Sequence, residues 1–127
     1  MEVAIVHARQ DEFHLFCPDI ADDLILLAFA FVDGKPALMS GLRTLADGRY
    51  FGFFDVLNKE RGRVAVVAAM RTMRRCMRNL GQPIYVQCER SETAAQMMRA
   101  FGLVQTGEEL EDRANPGTYL EVYKWQP

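Results

Sequence analysis

The chain has 127 residues, half of them hydrophobic and a quarter charged, and its formal net charge is −2. That length suits one domain spanning residues 1–127 and closes one core. The near-neutral balance argues against a protein that coats nucleic acid with its whole surface.

The early residues Met1-Glu2-Val3-Ala4-Ile5-Val6-His7-Ala8-Arg9 carry charge too soon and too often for a signal peptide. The longest apolar run, Leu24–Val32, falls well short of the roughly 20 residues a membrane span needs. The cysteines Cys17, Cys76 and Cys88 are odd in number and widely spaced, with no His or Cys at zinc-ligand distance. They read as free thiols in a reducing compartment, so a cytoplasmic protein without a metal is expected.

In chain order, residues 3–6 form a short apolar run that suits a buried strand. Residues 10–16 place Phe13 and Phe16 three apart in a short amphipathic helix stopped by Pro18, and Asp19 to Asp23 can open another helical turn. Residues 26–32 read as a strand ending at the hairpin dipeptide Asp33-Gly34. Residues 37–45 return, Asp47-Gly48 makes a second hairpin turn, and residues 50–57 form the third strand of an antiparallel meander.

The polar residues 58–61 lead into the clearest helix, residues 62–80. Val66, Met70, Met73, Met77 and Leu80 recur at steps of four and three along one face. Gly81 stands where a C-terminal capping glycine belongs. Residues 84–88 alternate as a strand, Ser91 caps a helix whose inward face is Ala94, Met98 and Phe101, and Gly102 ends it. Residues 103–110 and 119–125 are strand-like and are separated by an Asn115-Pro116-Gly117 turn. The expected fold class is α/β, with a mixed, mostly antiparallel central sheet flanked by helices.

Two stretches carry a family likeness. Asp55-Val56-Leu57-Asn58-Lys59-Glu60-Arg61-Gly62-Arg63 is a strand and loop that lead into the long helix, and Thr93-Ala94-Ala95-Gln96-Met97-Met98-Arg99-Ala100-Phe101-Gly102-Leu103 is a later helix whose end looks like a Gly-Phe ending with Leu103 replacing the Phe. Together they resemble the acyl-CoA-binding half of the GNAT superfamily of N-acyltransferases, over roughly residues 50–125. The chain is also reminiscent of short GNAT-like proteins of phages and prophages.

The resemblance implies transfer of an acetyl or acyl group from acyl-CoA to a small-molecule or protein amine. It also implies a cofactor site at Asp55, Val56, Leu57, Arg61, Gly62, Arg63, Val64 and Ser91, and a carboxylate base, with Glu89 and Glu60 as the candidates beside Asp55. The loop has a physical rationale of its own. A helix N-terminus presents unpaired N–H groups and partial positive charge, which suit a pyrophosphate.

The chain departs from the family's Gln/Arg-x-x-Gly-x-Gly/Ala motif. Read from Arg61, the glycine positions fall on Val64 and Val66; read from Lys59, they fall on Gly62 and Val64. Counting back from Gly102, the family's proton-donating Tyr falls on Met98 and its Asn on Ser91. Methionine cannot transfer a proton.

The residues Arg71, Arg74, Arg75 and Arg78 share the side of the long helix opposite its methionines and read as a solvated face. Tyr119, Tyr123 and Trp125 alternate along the last strand and read as packing, with an acceptor pocket or a homodimer contact as the other uses. His7 and His14 have no partner at a telling spacing. The rival to catalysis is a non-catalytic GNAT-like module acting through protein contacts, and a weaker rival is nucleic-acid binding through the arginine face.

Overall fold

A computed structural model describes residues 2–112 and 115–126. Seven strands, β1 (Val3–His7), β2 (Leu24–Val32), β3 (Lys35–Thr44), β4 (Tyr50–Val56), β5 (Ile84–Cys88), β6 (Val104–Glu111) and β7 (Tyr119–Trp125), build one sheet in the order β1-β2-β3-β4-β5-β7-β6. Every neighbouring pair is antiparallel except β4 and β5. The helices are α1 (Phe13–Phe16), α2 (Gly62–Leu80) and α3 (Glu92–Ala100), and short 3-10 turns flank α1.

Local chemistry sets the connections. Asp33 and Gly34 both take positive φ at the β2–β3 turn, as a tight hairpin requires. The long helix ends at Gly81 in the left-handed conformation, with its N–H donating to Met77 O. Ser91 Oγ accepts from Ala94 N–H at 3.1 Å and so caps α3.

The main core lies between the sheet and α2. Val66, Met70, Met73 and Met77 pack on residues such as Val32, Leu38, Leu42, Ile84 and Val86. The Met-rich stripe is packing, as its period suggests. Leu80 departs from that stripe: it is the last helical residue and stays 41% exposed. Tyr123 and Trp125 join the same core, and Trp125 Nε1 donates to Phe101 O at 2.7 Å, tying β7 to the end of α3. Tyr119, on the same alternation, is exposed. A smaller cluster of Phe13, Cys17, Leu24 and Leu27 covers the other face of the sheet under α1. Among the described residues no helix is long and apolar enough to cross a membrane.

Candidate functional site

The parallel pair β4–β5 is joined only at one end. Tyr50, Phe51 and Gly52 pair with Ile84, Tyr85 and Val86, and the register then stops. Beyond it, β4 continues to Val56 alongside β3, and β5 continues to Cys88 alongside β7. The sheet therefore opens between Phe53–Val56 and Gln87–Cys88.

The antiparallel ladder determines what backbone is left facing that opening. Leu57 N–H donates to Ala37 O at 2.9 Å, so the odd-numbered residues of this stretch turn their backbone groups towards β3. Phe54 and Val56 accordingly turn theirs towards the side that β5 has left, as an unpaired edge able to bond a ligand.

The closed end is held by side chains. Phe51 and Tyr85 stack at 5.3 Å across the two strands, and the Arg49 guanidinium lies 5.1 and 5.0 Å from their ring centres. Arg49 also makes a bidentate bond to Glu108, at 2.7 and 3.1 Å, and donates from Nε to Asp47 at 2.8 Å. These contacts hold the Glu108 carboxyl below the usual range for a glutamate.

A groove of about 830 Å³ adjoins the open end, between the start of α2 and the side of α3. Its walls include Val56, Lys59, Gly62, Arg63, Glu89 and Gln96. Gly62 is buried there because α2 starts directly against β4. The first turn of α2 carries no acidic residue, while Lys59 and Arg63 bring positive charge to the groove at its start. This inverts the arrangement a helix dipole favours, and an anion at the same place would satisfy both dipole and cations.

No family model matches the chain, and no curated protein matches it. Solved structures do. An IAA acetyltransferase from Bacillus cereus is similar with a TM-score of 0.68 at 10% identity, over 99% of this chain and 100% of that one. A GNAT family acetyltransferase from Elizabethkingia anophelis with acetyl-CoA bound matches at TM-score 0.66 and 9% identity, over 98% of each chain. An aminoglycoside acetyltransferase in complex with coenzyme A and kanamycin matches at 0.68 and 9%, over 98% of this chain and 95% of that one.

The chain has the GNAT acetyltransferase fold.

Within that fold, the structure gathers some of the expected site residues and separates others. Val56, Gly62, Arg63 and Glu89 meet in the groove. Val64 does not: one residue advances a helix by about 100°, so two steps from Gly62 carry it to the far side. It lines a separate depression with Val3, Arg63 and Arg71. Four steps from Gly62 return Val66 to the groove, where it is largely buried as part of the floor. Of the positions the two registers single out, Gly62 and Val66 line the groove and Val64 does not.

Arg61 is turned away. Its Nη1 donates to Val32 O at 3.1 Å and lies 3.3 Å from Asp33, which pins the loop to the β2–β3 turn. Asn58 Oδ1 accepts from the N–H groups of Glu60 and Arg61, so Glu60 sits on an exposed turn outside the groove walls. Leu57 is exposed, and its N–H is already bonded to Ala37 O. Ser91 spends its hydroxyl on the cap.

Asp55 alternates with Val56 and so projects from the opposite face of the sheet. There it is near Cys17, whose thiol is raised in pKa by burial and, secondarily, by that carboxylate.

The α3 side of the groove is formed by residues outside the expected site set. Thr93, Gln96, Met97 and Ala100 face it, a stripe at helical spacing adjacent to the inward stripe read from the sequence. Met98, at the counted position of a proton donor, is 5% exposed and packs in the core. The polar groups that α3 presents to the groove are Thr93 and Gln96.

Proposed function

We propose that this chain transfers an acyl group, acetyl in the simplest case, from acyl-CoA to an amine. The observation that carries the reading is the opening of β4 from β5 beyond Gly52 and Val86, directly beside a groove that ends at the cationic start of α2. An extended thioester arm added along β4 would bond the backbone of Phe54 and Val56, in the manner of a strand joining a sheet edge. The pyrophosphate would lie on the N–H groups of Gly62, Arg63 and Val64, with Lys59 and Arg63 supplying charge.

The reaction needs no covalent enzyme intermediate. The amine nitrogen bonds to the acyl carbon as the carbon–sulfur bond breaks; the nitrogen loses one proton, and the departing sulfur takes one up. Glu89, in the groove wall next to the opening, is the proposed acceptor of the nitrogen's proton through water. Gln96 is the proposed donor of a hydrogen bond to the sulfur, whose proton comes from solvent. Holding both partners in line supplies the larger part of the rate.

Titration with acetyl-CoA in a calorimeter, followed by an assay for free thiol with added amines, tests the reading. Binding in the micromolar range together with amine-dependent thiol release is expected. No heat at millimolar acetyl-CoA would overturn the proposal.

A second reading, a non-catalytic module with the same scaffold, is favoured by one observation: Met97 and Met98 leave no ionisable side chain on the stretch of α3 where the family places its proton donor. It predicts binding or no binding of acetyl-CoA, but no thiol release with any amine.

A further inference from the structure

The opposite face of the sheet holds a second cavity, of about 590 Å³, at the same opening. Its walls include Arg43, Phe53 and Gln87 from the central strands, Leu110 and Asp112 from the β6 side, and Ile20 from the segment after α1. Gly52, where β4 and β5 part, lies in this wall too. The cavity and the groove therefore approach the gap from the two faces of one sheet.

The charge in this cavity is distributed unequally. Arg43 pairs in register with Phe51, which places it on β3 beside the closed end of the opening. It is half-buried, and among the described residues it has no carboxylate within ion-pairing distance. Its neighbour Arg49, by contrast, is saturated by Asp47 and Glu108. A partly desolvated guanidinium without a counter-ion favours a planar anion that can take its fork bidentately. On the far wall the exposed Glu111 brings negative charge, which favours a cation in the same cavity, while Asp112 beside it already accepts from Asn115.

We propose that the acyl acceptor is a small amino acid: an amine that also carries a carboxylate, with Arg43 holding the carboxylate. Arg43 is a binding residue that sets specificity, and the amine end of the ligand lies between the acidic wall and the gap. This deepens the acyl-transfer reading and rests on it for the fate of the amine. The binding of the amino acid itself can be measured without acyl-CoA.

The test uses the whole chain, isotopically labelled, and two-dimensional amide NMR. One series of ligands runs from glycine through β-alanine to 5-aminopentanoate; the matched series are n-alkylamines and α,ω-diamines of equal length. At least one amino acid is expected to shift the amide signals of Arg43, Phe53 and Gln87 saturably, and to bind at least tenfold tighter than its matched amine and diamine. Arg43→Met is expected to abolish that advantage, and Arg43→Lys to keep part of it; thermal melting of both variants establishes that they fold.

Equal binding of amino acids and alkylamines, tighter binding of diamines, no shift with any amino acid, or an amino-acid preference that survives Arg43→Met in the folded variant would each overturn the proposal. Acetyl transfer to simple amines with no gain from a carboxylate would also overturn it while leaving acyl transfer standing. Loss of acetyl-CoA binding would remove the acyl-transfer reading without touching the NMR result.

Discussion

Gly62 lies so close to Val56 that a Cβ on the glycine would fall 2.5 Å from Val56 Cγ1. The contact joins the first residue of α2 to the last residue of β4, and so sets how near the helix N-terminus approaches the unpaired strand edge. A glycine is required here for close approach, since nothing about its φ is unusual.

Gly62→Ala should therefore push α2 away from β4 and cost about 1–3 kcal/mol of stability, as overpacking does. The double variant Gly62→Ala/Val56→Ala should recover part of that loss, because the clashing methyl is gone. Chemical denaturation of the three proteins checks this; equal stability of Gly62→Ala and the parent would show that the contact is looser than described.

Lys59 and Arg63 should act on anion binding, and Arg61 on the loop. Lys59→Ala and Arg63→Ala are each expected to weaken acetyl-CoA binding by about three- to tenfold, the scale of one charge at a helix N-terminus. The effect should shrink with added salt. Arg61→Ala should chiefly lower the melting temperature, since its guanidinium is committed to Val32 O and Asp33. Calorimetry and thermal melting on the same samples separate the two behaviours.

The Arg49–Glu108 pair makes stability depend on acid. Arg49 holds the Glu108 carboxyl below its ordinary value of 4.5 in the folded chain. A depressed folded pKa stabilises above the unfolded value, and that contribution is lost as pH falls through the folded one. Glu108→Gln should cost about 1 kcal/mol at neutral pH, the scale of a partly exposed pair, and little below the folded pKa. Urea midpoints from pH 7 down to pH 3 provide the check; parallel curves for parent and variant would contradict it.

Cys88 should be a slow nucleophile. Burial, then the nearby Glu121 and Glu89 carboxylates, push its thiol up to about 11. At pH 8 its thiolate fraction is then smaller than that of a free cysteine, and alkylation by iodoacetamide should be roughly a hundredfold slower. Mass spectrometry of the Cys88 peptide, folded against urea-unfolded, reads this directly. Fast labelling in the folded chain would mean that the thiol is neither buried nor beside those carboxylates.

What was legible in the sequence was local. The Asp33-Gly34 turn, the Gly81 stop and the Ser91 cap depend on chemistry within a few residues, and α2 begins and ends where its period and capping signals place it. What was not legible depends on rotation and on distant partners. Val64 and Val66 look alike in a motif, yet about 200° of helix separates them, and only Val66 meets the groove. Met97 faces the groove and Met98 the core for the same reason. The partner of Arg61 is Asp33, which lies across a hairpin, and no spacing announces it. The opening between β4 and β5 is a statement about which residues stop pairing, so a strand pattern read one segment at a time does not contain it.

The central claim is that acyl-CoA joins the sheet at the edge β4 leaves open. Amide hydrogen exchange with and without saturating acetyl-CoA tests it at the residues concerned. Slower exchange at Phe54 and Val56, together with Gly62, Arg63 and Val64, is the result expected. Unchanged exchange at those amides, or ligand-induced protection confined to another part of the sheet, would contradict it.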